Sequence, residues 1–354
     1  MPGATALSEH TLGSLQRELM AWGFKPAHAA PVLRAFYAGG GRGPWDGLKL
    51  PRGLAARLRD SAPPRRASLA ARQVAADGTT KLLLRLDDGR AVESVLMPDF
   101  RADRAAGCVS SQVGCAMGCD FCATGKAGFE RNLTSGEIVE QFLALRREAQ
   151  AAGRRLQTVV FMGMGEPMLN LDPVIEAVRR IGGNDGGALG WRQITVSTVG
   201  IVSGIDALAA TGLGVQLAIS LHAPDDATRA RLLPAGRRFG VDAILAAADR
   251  YQAATGRPVT IQYCLLQGVN DSPAQARQLA ALLAGRRMHV NLLRYNPTGP
   301  GLSGADYGPA PEASEAAFAT ELRARKVVAH FRRPRGREID AACGQLRERT
   351  GVPA

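Results

Sequence analysis

Short runs rich in β-branched residues recur along the middle of the chain, separated by stretches of roughly 20–40 residues. Many of these stretches carry apolar residues at helical spacing, as 136–150 and 242–254 do. A strand–helix–strand rhythm predicts right-handed crossovers and a parallel sheet. Six units are too few for the usual eight-fold barrel, so we predict an open or partial barrel with its chemistry at the C-terminal strand ends. The six predicted strands are 108–113, 157–162, 193–197, 215–221, 259–265 and 289–293.

The segments on either side of this region carry other patterns. Residues 14–22 and 31–36 have apolar positions at helical spacing, and 61–66 has the composition of a linker. Two alternating runs, 81–86 and 91–97, flank Asp87-Asp-Gly89 and predict a β-hairpin. A final β-rich run at 326–331 predicts an edge strand. We therefore divide the chain into a helical accessory domain (1–65), a β-hairpin extension (66–105), a core (106–325) and a C-terminal strand and basic tail (326–354).

Composition describes a folded chain with a basic surface. Apolar residues make up 46% and charged residues 21%, which excludes a largely disordered chain. No run approaches the length of a membrane span, and the N-terminus lacks the pattern of a secretory signal, so we expect a cytoplasmic protein. The net charge is +12. Codon bias in a GC-rich genome explains a preference for Arg over Lys but not this excess, which favours a polyanionic partner such as nucleic acid.

Cysteine spacing gives the sharpest chemical signal. Cys115, Cys119 and Cys122 form a C-x3-C-x2-C motif on a loop after the first predicted core strand, and three thiolates favour soft metals. A structural zinc site normally has four protein ligands, and this loop contains no fourth Cys or His. A [4Fe–4S] cluster held by three cysteines would leave one iron open to a substrate. Zinc completed by a distant residue, or simply buried cysteines, are the alternatives.

Polar residues follow four of the predicted strands. Gly163-Met-Gly-Glu166 follows the second strand, where glycines let the backbone approach a ligand and Glu166 can accept from an ammonium group. Individually such residues are common turn formers. The C-terminal ends of parallel strands meet at one mouth, so the set predicts a ligand site. Its other members are Ser197, Ser220, Leu221, His222 and Asn296.

Six segments of the chain resemble a known family: Gly107-Cys-Val-Ser-Ser-Gln-Val-Gly-Cys115, Phe121-Cys-Ala-Thr-Gly125, Arg131-Asn-Leu-Thr134, Gly163-Met-Gly-Glu-Pro167, Leu217-Ala-Ile-Ser-Leu-His-Ala-Pro224 and Ala341-Ala-Cys-Gly-Gln345. They resemble the RlmN/Cfr family of radical S-adenosylmethionine (SAM) methyltransferases, which act on ribosomal RNA adenosine. The similarity covers about residues 90–346. It implies an α/β fold: a partial (βα)6 radical SAM barrel with a small N-terminal helical domain that binds RNA and a basic C-terminal tail.

The resemblance also implies a role for each matched residue. Cys115, Cys119 and Cys122 would hold one [4Fe–4S] cluster, and the SAM pocket would be lined by Gly165, Glu166, Ser197, Ser220, Leu221, His222 and Asn296. Cys343 would carry the methyl group. Cys108 would resolve the covalent adduct through a disulfide with Cys343, and Glu93 would be the general base. Cys264 lies in an apolar run and is predicted to be a core residue.

The implied reaction is methylation of C2 of an adenosine in 23S rRNA, with tRNA left open as a further substrate. C2 is electron-poor, so two SAM molecules are expected per turnover: one methylates Cys343, and one is cleaved to a radical that activates the S-methyl group. The implied partners are RNA and a reductant such as flavodoxin or ferredoxin, with a monomeric chain and no membrane.

Two alternatives stay open. One is C8 methylation of the same adenosine, which confers antibiotic resistance. The other is a non-catalytic iron–sulfur or zinc RNA-binding protein, which would have no use for Cys343, Cys108 and Glu166 together.

Overall fold

Three helices open the computed structural model, which describes residues 5–43, 45–60, 67–234, 238–332 and 335–346. They are α1 (Leu12–Ala21), α2 (Ala29–Ala38) and α3 (Arg52–Asp60), so helices lie at both segments where helical spacing predicted them, 14–22 and 31–36. Thr11 caps α1 in a capping box with Ser14. These helices share the hydrophobic core of the rest of the chain. The predicted linker 61–66 lies outside the described residues.

Three antiparallel strands follow. The predicted hairpin is confirmed as β2 (Thr80–Leu86) and β3 (Ala91–Pro98), which pair around the Asp-Gly turn. An additional strand, β1 (Ala67–Val74), pairs with β2 and forms one edge of the sheet. Only Ala67 of β1 is buried, so this strand lacks the alternation of apolar and polar residues that would have predicted it.

The first predicted core strand, 108–113, is wrong as one element. The chain forms β4 (Arg104–Cys108) and then β5 (Gln112–Gly114), which leaves the main sheet and pairs with β6 (Phe129–Asn132). The break falls at Ser110, whose N–H donates to Gln141 Oε1 and whose hydroxyl donates to the Glu93 carbonyl. These side-chain bonds replace ladder bonds at that point. The short helix α4 (Ala123–Ala127) lies between β5 and β6.

The remaining elements alternate as the pattern predicted. Thr134 and Glu137 form a capping box at the start of α5. The run 259–265 is a strand with the predicted bounds, and the edge strand near 326–331 is confirmed as β12. The elements are α5 (Ser135–Ala151), β7 (Arg155–Phe161), α6 (Leu171–Gly182), β8 (Ile194–Thr198), α7 (Val202–Ala210), β9 (Gln216–Ser220), α8 (Asp226–Leu232), α9 (Val241–Thr255), β10 (Val259–Leu265), α10 (Pro273–Leu283), β11 (Met288–Arg294), α11 (Glu312–Ala324) and β12 (Ala329–Arg332).

The main sheet has ten strands in the order β1-β2-β3-β4-β7-β8-β9-β10-β11-β12. Every pair from β4 to β12 is parallel, which gives six strand–helix units and a final strand. In the described residues β1 and β12 are the two edges, so the barrel is partial, as predicted. The C-terminal ends of the parallel strands share one side, which positions the site described below. None of the described helices has the length and hydropathy needed to cross a membrane.

Candidate functional site

The three cysteines of the C-x3-C-x2-C motif lie on the loop between β5 and α4. The Cys115 N–H donates to the Gly128 carbonyl (2.7 Å), and the Cys122 N–H donates to the Cys119 carbonyl (3.1 Å). Gly125 is packed against this loop so closely that a Cβ there would lie 2.8 Å from the Cys119 nitrogen. The loop is therefore held in one shape by its own backbone and by a residue that must be glycine.

The chemistry of these thiols fits a bound iron–sulfur cluster. Burial raises the pKa of the Cys115 thiol to about 12, and burial followed by the neighbouring Cys122 and Cys115 raises the pKa of Cys119. Thiols bind metal only as thiolates, so the bound group must offset that cost. Among the described residues no three His, Cys, Asp or Glu side chains are arranged to hold a single metal ion. In a [4Fe–4S] cluster each thiolate binds a different iron, so the sulfur atoms need not converge on one point.

The C-terminal tail packs against this loop. The Ala123 N–H donates to the Gly344 carbonyl (2.7 Å), and the Thr124 hydroxyl donates to the Leu346 carbonyl. Cys343, which precedes Gly344, is exposed. The two segments are far apart in sequence, and these bonds bring the tail cysteine beside the cysteine loop.

The turn after β7 forms a second wall. A Cβ on Gly163 would lie 2.6 Å from Ser110 Oγ, and Gly165 has φ +97° with Gln112 close behind it, so both positions require glycine. Glu166 is buried and accepts from the N–H groups of Met168 (3.0 Å) and Val199 (2.8 Å). Burial raises the pKa of Glu166 to about 6. The hydrogen bonds act in the opposite direction, because they favour the carboxylate.

A cavity of about 170 Å³ lies between these walls and the strand ends. One water needs only about 10–15 Å³ by the same measure, so the cavity is large enough for a substantial ligand. Of the residues predicted for SAM, Gly165, Glu166, Ser197, Ser220 and His222 line it, together with Cys119, Cys122 and Cys343. Unpredicted lining residues include Gln262, Cys264, Arg294 and Arg332.

His222 is held as a neutral ring. Its Nδ1 accepts from the Cys264 N–H (3.0 Å), which leaves the ring proton on Nε2. Burial, and then Arg229, lower the pKa of His222 to about 3. The ring packs edge-on against Phe121, with centroids 5.1 Å apart. The aromatic residue before Cys122 therefore helps to fix the cavity wall.

Two residues predicted for the SAM pocket lie elsewhere. Leu221 is fully buried and is not among the residues that line the cavity. Asn296 lines a smaller neighbouring cavity of about 60 Å³. Its Nδ2 donates to the Cys343 carbonyl (3.3 Å), and its Oδ1 accepts from Arg337 Nε (2.7 Å), so here it holds the tail.

Cys343 lines both cavities, and Cys108 lies nearby at the end of β4. Burial raises the pKa of Cys108 to about 12; Cys343 adds to this rise, whereas Arg332 opposes it. All six cysteines are free, so the predicted Cys108–Cys343 disulfide is not supported. Cys264 is buried, as predicted, but it also faces the larger cavity.

Glu93 forms a buried ion pair that the sequence did not predict. Its Oε1 lies 3.0 Å from Lys81 Nζ, and the two side chains are 4% and 12% exposed. Lys81 Nζ also donates to the Asp340 carbonyl of the tail (3.4 Å). Cys108 pairs with Val95 on β3, two residues from Glu93, so Glu93 and Cys108 share one face of the sheet. One ammonium group therefore joins the predicted base to the segment that carries Cys343.

Basic side chains surround the mouth. Arg332 lines both cavities, with its Nη1 3.8 Å from Met162 Sδ, and Arg335 lines the smaller one. Arg333, which belongs to the same predicted basic run, lies outside the described residues. These charges lie beside Cys343, which lines the same cavities.

Comparisons with known proteins agree with this geometry. Residues 109–280 match the family model of the Radical SAM superfamily. The chain is 67% identical over 346 residues, 98% of both chains, to the probable dual-specificity RNA methyltransferase RlmN 1 of Opitutus terrae. It is 43% identical over 350 residues to the probable dual-specificity RNA methyltransferase RlmN of Rhodopirellula baltica, covering 99% of this chain and 92% of that one.

A solved structure is also similar throughout. The crystal structure of a radical SAM methyltransferase from Sphaerobacter thermophilus matches with a TM-score of 0.90 and 43% identity. The match covers 97% of this chain and 99% of the other. The shared architecture therefore extends well beyond the partial barrel.

Proposed function

The chain belongs to the RlmN family of radical SAM RNA methyltransferases, and from this premise we propose that it methylates C2 of an adenosine in 23S rRNA through a methyl group carried by Cys343. A tRNA adenosine is the second proposed substrate, since the relatives' names describe dual specificity toward RNA. The observation that carries the proposal is the shared cavity: Cys343 lines the same walls as Cys119, Cys122 and Glu166.

The proposed cofactor site consists of chain residues already described. Cys115, Cys119 and Cys122 would hold a [4Fe–4S] cluster, which when bound supplies the electron for reductive cleavage of SAM. Glu166 would accept a hydrogen bond from the ammonium group of SAM, and its burial supports that role because an ion pair is strengthened away from water. The electron itself would come from an external reductant such as flavodoxin or ferredoxin.

Cys343 is the proposed methyl carrier. A first SAM would transfer its methyl group to Sγ, so the new carbon–sulfur bond forms as the sulfonium bond breaks and the thiol proton leaves to solvent. The exposure of Cys343 supports this role, because the sulfur is accessible to a methyl donor. The bonds from Ala123 to Gly344 and from Asn296 to the Cys343 carbonyl hold the carrier against the cysteine loop. A second SAM, cleaved in the same turnover, would activate the bound methyl group.

Glu93 and Cys108 are the proposed groups for completing the reaction. The carbon radical formed on the methyl group would add to C2 of the adenine. Glu93, whose Oε1 lies 3.0 Å from Lys81 Nζ, would then remove the C2 proton. The unpaired electron of the adduct would pass to the oxidised one-electron carrier, which leaves a closed-shell thioether between Cys343 and the RNA. Cys108 would then attack the Cys343 sulfur, forming a sulfur–sulfur bond as the sulfur–carbon bond breaks. The released carbon keeps the electron pair and takes up a proton. The raised pKa of Cys108 means that its thiol must first lose a proton.

The proposed cofactor site is tested by reconstituting the protein with iron and sulfide without oxygen. We expect about four iron atoms per chain and formation of 5′-deoxyadenosine when SAM and a strong reductant are added. Cys115→Ala, Cys119→Ala and Cys122→Ala should each lose both properties. Cys264→Ala is the matched control, because Cys264 lines the same cavity but is not a proposed ligand. One zinc ion per chain without iron would contradict the proposal.

A further inference from the structure

Gln262 on β10 carries a buried acceptor that the fold leaves unused. The residue is 4% exposed, and its Oε1 has no hydrogen-bond partner among the described residues. Buried side-chain oxygens are almost always paired, since an unpaired one loses its water without compensation. Gln262 also lines the larger cavity. The unused oxygen therefore belongs to a wall that a ligand would contact.

Its neighbours make the wall a row of hydrogen-bonding side chains. Ser197 on β8, Ser220 on β9 and Gln262 on β10 all line the cavity. Gln262 pairs directly with Ser220 in the parallel register, so the two side chains stand on the same face of adjacent strands. Hydroxyl and amide groups in a row, without an ionised partner among them, suit a neutral polar ligand surface.

The position of this row along the cavity identifies the part of the ligand. Glu166 follows β7, and β10 lies three strands further along the sheet. Adjacent strands are about 4.8 Å apart, so Gln262 is roughly 14 Å across the sheet from the strand that leads to Glu166. SAM extends from a charged amino-acid end to an uncharged nucleoside end. With the ammonium group near Glu166, the nucleoside half reaches toward β10.

We propose that Gln262 is a binding residue for the nucleoside half of SAM, with Oε1 accepting a hydrogen bond from a ribose hydroxyl or from the adenine amino group. This inference rests on the proposed function, because it needs SAM in the cavity. It assigns to an orphaned acceptor a hydrogen-bond donor, which is what the amide oxygen needs. The alternative, a purely structural glutamine, would require a partner within the protein.

The test measures binding rather than turnover. Dissociation constants of SAM and S-adenosylhomocysteine are determined by anaerobic calorimetry on the reconstituted full-length protein, for the natural chain, Gln262→Met and Gln262→Glu. Methionine keeps the shape without an acceptor, whereas glutamate keeps an acceptor. Gln252→Met is the control, since Gln252 lies on α9 outside the cavity and bonds to the Arg287 carbonyl.

Gln262→Met should weaken binding roughly tenfold, because a donor of the ligand is left unpaired. Gln262→Glu should stay within about threefold of the natural chain, and Gln252→Met should not differ from it. Without ligand, Gln262→Met should keep the natural Tm, because Oε1 makes no hydrogen bond within the described residues. A lowered Tm with unchanged binding would overturn the inference in favour of a structural role.

Three ligand analogues separate the possible donors. If a ribose hydroxyl is the donor, 2′-deoxy- or 3′-deoxy-S-adenosylhomocysteine should bind the natural chain about tenfold more weakly and lose nothing further in Gln262→Met. If the amino group is the donor, S-inosylhomocysteine should behave in that way instead. If Gln262→Met weakens the binding of all three analogues as much as it weakens the binding of S-adenosylhomocysteine, Oε1 bonds to none of these donors and the inference is overturned. Failure of the natural chain to bind SAM would overturn the proposed function itself, which the other outcomes leave intact.

Discussion

Replacing Lys81 by methionine should destabilise the protein, because it removes the cation that lies 3.0 Å from the buried Glu93 carboxylate. At 3.0 Å and an effective dielectric constant near 20, the attraction between the two charges is roughly 5 kcal/mol. Part of it only offsets the cost of burying them, and removal of one partner of a buried pair typically costs about 3–5 kcal/mol. We expect Lys81→Met to lower the free energy of unfolding by about 3 kcal/mol, at the lower end of this range, because the Lys81 side chain is partly exposed.

This loss can be read as a change in Tm. A chain of 354 residues has an unfolding entropy of roughly 0.7 kcal/mol/K, so the expected fall for Lys81→Met is roughly 4 °C. The double variant Lys81→Met/Glu93→Gln removes both charges and should recover most of that fall. Arg250→Met is the control, because the Arg250–Asp206 pair is about half exposed and should change Tm by less than about 1 °C.

The same variants separate stability from chemistry. The double variant should be stable but unable to methylate RNA, because an amide at position 93 cannot take a proton. Differential scanning fluorimetry gives the Tm values, and nucleoside analysis gives the activity. If the double variant is as unstable as the sum of its single changes, the two charges are not coupled and the ion pair does not hold this region together.

Four further predictions concern the cavity and its surroundings. Cys343→Ala should give no methylated RNA, whereas Cys108→Ala should accumulate a protein–RNA adduct on a denaturing gel; loss of activity without an adduct would refute the two roles. Because the pKa of Cys108 is raised to about 12, the thiolate fraction grows with pH, and single-turnover release of the adduct should accelerate about tenfold per unit between pH 7 and 9. Arg332 and Arg335, substituted together by alanine, should weaken RNA binding and flatten its dependence on salt by roughly two phosphate contacts; an unchanged slope in filter binding would make them ordinary surface residues. Gly125→Ala should lower the iron content after reconstitution, because its Cβ would meet the Cys119 backbone at 2.8 Å; normal iron content would show that the loop can shift.

The alternation of strands and helices was predictable because it depends on local patterns. Strand β10 has the bounds that its run of β-branched and apolar residues indicates, and α5 begins at its capping box. Strand β1 was not predictable, since an exposed edge strand has little reason to alternate. The break after Cys108 was not predictable, because the strand is interrupted where Ser110 donates to Gln141 and accepts from the Met164 N–H, both distant in sequence.

The same distinction between local patterns and long-range contacts applies to the candidate site. The cysteine loop and the Gly163–Glu166 turn are local motifs, so their chemistry could be predicted. The bonds of the tail to Lys81, Ala123 and Asn296 join segments far apart in sequence, which no local pattern encodes. The sequence pattern only weakly indicates that Gln262 faces the cavity: it is a polar residue in a mostly apolar strand, on the same face of β10 as Cys264.

The central claim is that Cys343 delivers a methyl group to C2 of an RNA adenosine. Its most direct test is mass spectrometry of nucleosides from 23S rRNA and tRNA incubated with the reconstituted protein, a reductant and SAM labelled with deuterium in its methyl group. A relay through Cys343 predicts 2-methyladenosine with two deuterium atoms on its new methyl group, since one is lost to the radical and replaced by a solvent proton. Cys343→Ala should give none. 8-Methyladenosine would contradict the proposed position of methylation, and a methyl group that keeps all three deuterium atoms would contradict the relay.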